Sequence, residues 1–338
     1  MTKENHKHWR IRLLNPEKDF AALLALRREL EALEPTDGDT SEAGLRATFK
    51  WRNHDPAQDR WVATAPDEPD NFIAYAWVYA QSHERVVTLV RVHPAWRRQG
   101  LGSDLLAHTL ERARQYGATH VTGACWQTAP EAHQFLTHHD FAPVGHNRFF
   151  HAPPDVPLPD PVWPDGYTVR NFAEVQDLAL LVKVCNRAYH DMWGHAENVP
   201  GAVDEERLAE GMRNSPAHYN PESMFIAFAP DGDVAGICFG RIYGDENNDP
   251  TTGRPKQVVD SPGVVPEHRH MELQRPLTLT AMHWLRATAG VGPIQLHTYG
   301  DQEIAVAIYH ALGFVLDPNS HLIEYRLALP AHSVTARP

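Results

Sequence analysis

One order of strand and helix signals runs through this chain twice, and that duplication limits the fold more than any single motif does. In the first copy a short strand over 11–15 leads into a leucine-rich helix over 16–34, with Asn15 as its expected cap and Pro16 at its first position. A second helix over 41–52 follows, then strands over 60–65, 72–80 and 85–94. After a glycine-containing turn come an amphipathic helix over 103–117, a strand over 120–126, a helix over 130–140 and a hairpin from Phe141. The second copy has strands over 167–172, 224–229, 234–244, 257–266 and 293–299. Helices are expected over 173–190, 204–214, 273–289 and 303–313, with a hairpin from Phe314. Arg97 and Arg269 lie 172 positions apart and Phe141 and Phe314 lie 173 apart, so the copies hold register.

Between them, HAPPDVPLPDPVWPDG carries six prolines and no helical or strand period, which predicts a stiff extended linker. The expected division is a first domain over 1–152, a linker over 153–166 and a second domain over 167–338. The 31 basic and 43 acidic residues give a formal charge of -12, a balance that disfavours nucleic acid and suits a small amine partner. Three scattered cysteines, Cys125, Cys185 and Cys238, give no disulfide framework and fit a reducing cytoplasm. The polar start and the shortness of the longest apolar run, 72–80, predict neither a leader nor a membrane span. The 22 histidines include no HExxH and no ligand-spaced set, so no metal is expected. A monomer and a homodimer both fit.

The turn RRQGLG, 97–102, sits between strand and helix. The first N–H groups of such a helix carry the positive end of its dipole and make an anion site. Gly100 and Gly102 let a ligand approach the main chain, while Arg97 and Arg98 offer charge-assisted bonds to phosphate oxygens. The matching stretch of the second copy, RHMELQ, keeps Arg269 but has Glu272 and Gln274 in place of the glycines. A carboxylate beside such an anion is repelled by about 1 kcal/mol or more even in screened solvent.

The pattern Arg-x-x-Gly-x-Gly, the preceding VRVHPAW and the closing HDF, with VVPEHR and AIYHALGF in the same places of the second copy, resemble the GNAT acyltransferase family. The resemblance implies an α/β (α+β) fold of two tandem GNAT domains, each a mixed, mostly antiparallel sheet flanked by helices. It also implies a cleft where two strands splay. Acetyl-CoA is the implied co-substrate, its pantetheine against Val90 and Val92 and its pyrophosphate on Gln99, Gly100, Leu101, Gly102, Ser103 and Asp104 beside the two arginines. The implied reaction is acetyl transfer to the amine of a small molecule by direct attack in a ternary complex.

In this family a tyrosine of the last core helix usually protonates the departing thiolate. Tyr309 holds that position in the second copy and Leu136 in the first. Asp260, in VVDSPGVV, is the expected general base, or else an acidic turn residue, and Pro262 marks a bulge where the sheet opens. Asp191 and Trp193, in YHDMWGH, are candidates to hold a cationic amine, or else pack a helix end. Glu84, His93 and His133 are further possible bases of the first copy, and Cys125 a possible acyl carrier or a structural thiol. Because each copy is incomplete, a CoA-sensing protein with no turnover is the alternative to an enzyme, followed by acetylation of a protein amine.

Overall fold

The strands and helices alternate in the order read from the sequence. The computed structural model describes residues 8–36, 39–82, 84–191, 203–214, 219–248, 255–260, 262–299 and 303–330. The first copy contributes β1 (Arg10–Leu13), α1 (Phe20–Leu33), α2 (Glu42–Phe49), β2 (Arg60–Ala65), β3 (Glu68–Ala80) and β4 (Arg85–Val92). It continues with α3 (Leu101–Gln115), β5 (His120–Trp126), α4 (Pro130–His138) and β6 (Ala142–Ala152). The second copy contributes β7 (Thr168–Asn171), α5 (Phe172–Val175), α6 (Leu178–Tyr189), α7 (Glu205–Asn214), β8 (Met224–Phe228), β9 (Val234–Asn248), β10 (Pro255–Asp260) and β11 (Gly263–Val264). α8 (Gln274–Ala289), β12 (Ile294–Tyr299), α9 (Glu303–Ala311) and β13 (Val315–Ala328) complete it.

The first unit comprises the chain up to Cys125, Ala129–Val144 and the chain from Glu324 onward; the second comprises Trp126–Thr128 and Gly145–Ile323. The hairpins expected from Phe141 and Phe314 do not form. Each is one long strand instead, β6 running on into the second unit and β13 returning to the first. β6 pairs antiparallel with β12, from Ile294↔Ala152 to Tyr299↔Asn147. Local hairpin signals cannot reveal such long-range pairing, because only the sheet decides which edge a strand joins.

In the first unit β1 to β4 form an antiparallel meander, and β5 joins β4 in parallel. The leucines of α1, with Leu23 and Leu30 nearly inaccessible, pack with Leu45 of α2 on Val62, Phe72 and Tyr75. α1 begins at Phe20 rather than Pro16. Asn15 Oδ1 accepts from the amides of Glu17 and Lys18, closing a turn, and Asp19 accepts from Arg12 and from the Asn15 amide.

The second unit repeats the plan: β7 to β10 are antiparallel neighbours and β10 pairs with β12 in parallel. One core lies under α8, around Leu277, Met282, Leu285, Tyr309 and Phe314, and another lies under α6, around Leu181, Val184 and Ile226. The proline-rich segment, expected as a stiff extended linker, makes turns at Pro153–Val156 and Pro164–Tyr167, and its Val156, Leu158 and Trp163 pack on the α8 core. The repeat persists in hydrogen bonds. Phe141 N–H donates to Leu136 O and Phe314 N–H to Tyr309 O, both at 3.0 Å, past Asp140 and Gly313 with positive φ.

Candidate active site

A cleft opens in the first unit where β4 and β5 part. Their parallel ladder runs Arg85↔His120, Val86↔Val121, Val87↔Thr122 and stops there, although both strands continue. Gly123 stands just past the last rung, where an added Cβ would lie 3.5 Å from Thr88 O. Gln81 N–H donates to Arg85 O and His93 N–H to Ile73 O, so odd-numbered residues of β4 turn their backbone groups toward β3. Those of Val90 and Val92 therefore face the open side. From Thr88 to Val92 that edge measures about 13 Å.

At its far end the chain turns into α3. Gly100, with φ +97°, occupies the left-handed region as the N-cap and supplies no side-chain cap. The amides of Leu101, Gly102 and Ser103 are consequently the unpaired first donors of the helix, and Leu101 anchors the turn with a buried side chain. Asp104 departs from the expectation: its amide already donates to Gly100 O at 3.0 Å and its carboxylate accepts from Trp9 Nε1 at 3.0 Å. A Cβ on Gly102 would lie 3.2 Å from Phe135 Cε2 and 3.8 Å from Val92 Cγ2, so a side chain there would press into the space between α3, α4 and β4. Ser103 Oγ lies 2.8 Å from His139 Nε2.

Arg97 is committed elsewhere than to a phosphate. Its Nε donates to Val92 O at 3.1 Å, its Nη1 to Glu34 Oε1 at 2.7 Å and its Nη2 to Glu34 Oε2, tying the end of β4 to the end of α1. The Glu34 carboxyl is held below its usual range, chiefly by these bonds. Arg98 is exposed, with φ +60°. It is the arginine left to meet an anion.

The second turn is built on the same clamp. Arg269 Nε donates to Val264 O at 3.1 Å and its two Nη atoms reach Asp191 at 2.6 and 2.7 Å, lowering that carboxyl chiefly through these bonds. Glu272 takes the left-handed conformation of Gly100, at φ +53°. The donors differ. Arg275 N–H bonds Glu272 O at 3.3 Å, Pro276 has no N–H, and the Gln274 side chain is buried with Oε1 unpartnered.

Asp191, expected to hold an amine, is thus engaged by Arg269, and Trp193 lies outside the described residues. Tyr309 is fully buried, with Phe150 and Phe314 at ring-centroid distances of 5.9 and 6.4 Å. Asp260 is ion-paired with Arg241. Burial pushes Tyr189 well above its ordinary value, with Asp260 and Tyr309 among the groups that add to the shift. Against β9 the register shifts by one residue between Val259↔Gly240 and Gly263↔Ile237, on either side of the bulge expected at Pro262.

Of the possible bases in the first copy, Glu84 is exposed and His93 lies 3.3 Å from Glu29. His133 of α4 is different. Its Nδ1 lies 3.3 Å from Cys125 Sγ and 2.7 Å from the hydroxyl of Tyr325 on β13. Burial pushes the Cys125 thiol up to about 11 and raises Tyr325 as well, so both are protonated at neutral pH. Tyr325 escaped the sequence reading because it meets the site across 192 positions.

Among the described residues no three His, Cys, Asp or Glu side chains gather as a metal site, and no helix is long and apolar enough to cross a membrane.

A splayed parallel pair followed by a glycine turn and a helix start defines the site of an acyltransferase, and comparison with known proteins agrees. The acetyltransferase (GNAT) family profile matches residues 24–141. A mycothiol acetyltransferase of Rhodococcus erythropolis is 31% identical over 256 residues, covering 72% of this chain and 78% of the relative. Another, from an Arthrobacter species, is 25% identical over 304 residues and covers 88% of each. Among solved structures, a GCN5-related N-acetyltransferase from Sphaerobacter thermophilus superposes with a TM-score of 0.70 at 21% identity, over 95% of this chain and 96% of that one. A tandem GNAT protein from the clavulanic acid biosynthesis pathway gives 0.65 at 17% identity, over 95% and 98%. The chain belongs to the acetyltransferase (GNAT) family and is an N-acetyltransferase.

Proposed function

We propose that the first unit binds acetyl-CoA and transfers its acetyl group to the amine of a small molecule by direct attack. The observation that carries this reading is the run of open backbone from the apex at Thr88 and Gly123, along Val90 and the amide of Val92, whose carbonyl is held by Arg97, to the uncapped amides of α3. The fit of the co-substrate rests on that edge: its extended arm adds to β4 as a further strand would. The pyrophosphate rests on the amides of Gln99 to Ser103 with Arg98 beside them. Arg97 positions the turn through Glu34 and Val92. The protein's part in the chemistry is to align an uncharged amine with the carbonyl, exclude water and hold a proton near the sulfur.

In this reading the second unit is a degenerate partner. Its Gln274 puts a buried side chain at the position where the first turn has Gly102, and Tyr309 and Asp260 serve as core and ion-pair residues rather than as acid and base. Mycothiol acetyltransferases being the relatives, an acceptor of that class is the first to try, followed by a panel of small amines. Gly100→Trp should abolish the calorimetric signal of acetyl-CoA binding; retained affinity would overturn the assignment to the first turn. Tyr309→Phe should leave turnover within about twofold, whereas a tenfold loss would move the chemistry to the second unit.

A further inference from the structure

The first unit lacks the helix tyrosine of its family, since Leu136 stands there and is buried. A hydroxyl nevertheless reaches the same region from another strand. Leu329 N–H donates to Thr119 O and Gln127 N–H to His321 O, which aligns β13 antiparallel to β5. Tyr325 falls midway between His321 and Leu329, as Gly123 falls midway between Thr119 and Gln127, so Tyr325 stands opposite Gly123. Opposed residues of an antiparallel pair share a face, and so do residues two apart on one strand. Tyr325 and Cys125 consequently project to the side on which α4 presents His133, as their contacts attest. Gly123 is also where β5 leaves β4, so Tyr325 stands directly across β5 from the point at which the cleft opens.

We propose that Tyr325 is the proton donor to the departing sulfur in the first unit, replacing the missing helix tyrosine, with His133 as its positioning residue. This rests on acetyl-CoA binding in the first unit. In the tautomer that carries its proton on Nδ1, His133 donates to the Tyr325 oxygen and leaves the tyrosine hydrogen directed at the sulfur. As the N–C bond forms and the C–S bond breaks, the amine releases its proton to water and Tyr325 gives its own to the sulfur. Tyr325 recovers a proton from Nδ1 of half-buried His133, which water replenishes. Products are the amide and the free thiol, so protons balance. The neutral Cys125 thiol beside His133 confines the imidazole and takes no acyl group.

The test uses the full chain and needs no acceptor. CoA itself is bound and the ionisation of its thiol is followed by the ultraviolet absorbance of the thiolate as pH is raised, with affinity measured by calorimetry. A hydroxyl donating to the sulfur stabilises the thiolate, so Tyr325→Phe should raise the midpoint by about one pH unit while CoA affinity changes less than about threefold. His133→Gln should raise it by a smaller amount. Leu136→Tyr added to Tyr325→Phe should return it toward the wild-type value. Unchanged midpoints in Tyr325→Phe and His133→Gln, with CoA bound, would overturn the proposal. If Tyr325→Phe fails to fold, His133→Gln alone decides. CoA binding that is absent in the wild-type protein or survives Gly100→Trp would instead refute the assignment of the cofactor to the first unit.

Discussion

The two turns of this chain share a frame and differ in what the frame leaves open. In both, an arginine five residues past a valine bonds that valine's carbonyl and grips a carboxylate from the end of the first long helix: Arg97 with Val92 and Glu34, Arg269 with Val264 and Asp191. In both, the residue three past the arginine is left-handed. Only the first has glycine there and again two residues later. The clamp therefore belongs to the fold, and in the proposed function it is the glycines that serve the ligand; an arginine retained without its glycines reads as architecture.

Copying the second turn into the first should break the site most severely. Gly102→Gln places a side chain where a Cβ already lies 3.2 Å from Phe135. Acetyl-CoA affinity should fall by more than about 100-fold, roughly 2.7 kcal/mol, in a calorimetric titration.

Acid should then strain both units through one buried histidine each. His54 Nδ1 lies 2.9 Å from Val78 O and its Nε2 accepts from Arg60 at 2.8 Å, bonds that suit the neutral ring. Burial, with Arg60, pushes His54 from 6.5 to about 4; burial likewise pushes His297 to about 4. The unfolded chain binds the extra proton first, so stability is fully present above pH 6.5 and is lost as pH falls toward about 4. Each site contributes at most about 3 kcal/mol, visible as a falling denaturation midpoint over that window. His297→Phe should flatten the slope of the second unit's transition.

Removing the clamps should separate architecture from binding. Arg97→Met and Arg269→Met should each cost about 2 kcal/mol in denaturant unfolding, since each removes charged hydrogen bonds. Only Arg97→Met should also weaken acetyl-CoA. The smallest effect is expected from Glu272→Gly, which should stabilise the chain by about 1 kcal/mol by relieving the left-handed strain, without creating a second binding site.

Much of this architecture was legible in the sequence because it is written in local periods. Strand alternation, the leucine spacing of α1 and the equal offsets of Arg97/Arg269 and Phe141/Phe314 gave the element order and the duplication. The glycine turn was legible because Gly100 has a conformational reason to be glycine. What sequence could not reveal were partners fixed by the folded sheet. Nothing beside Glu34 marks it as the counterion of Arg97, and nothing near Tyr325 points to His133. Phe141 and Phe314 suggested hairpins because each strand's true neighbour lies on a distant segment. Asp260 and Asp191 read as chemistry because an acidic residue at a strand end or just past a helix carries no local sign of the arginine that will neutralise it.

The most direct test of the account is a crystal structure with CoA bound. It should place the pyrophosphate on the amides of Gln99, Gly100, Leu101, Gly102 and Ser103, the arm beside Val90 and Val92, and the thiol within hydrogen-bond reach of Tyr325. The turn at Glu272 to Gln274 should hold no ligand. Density for CoA at the second turn with the first one empty would contradict it.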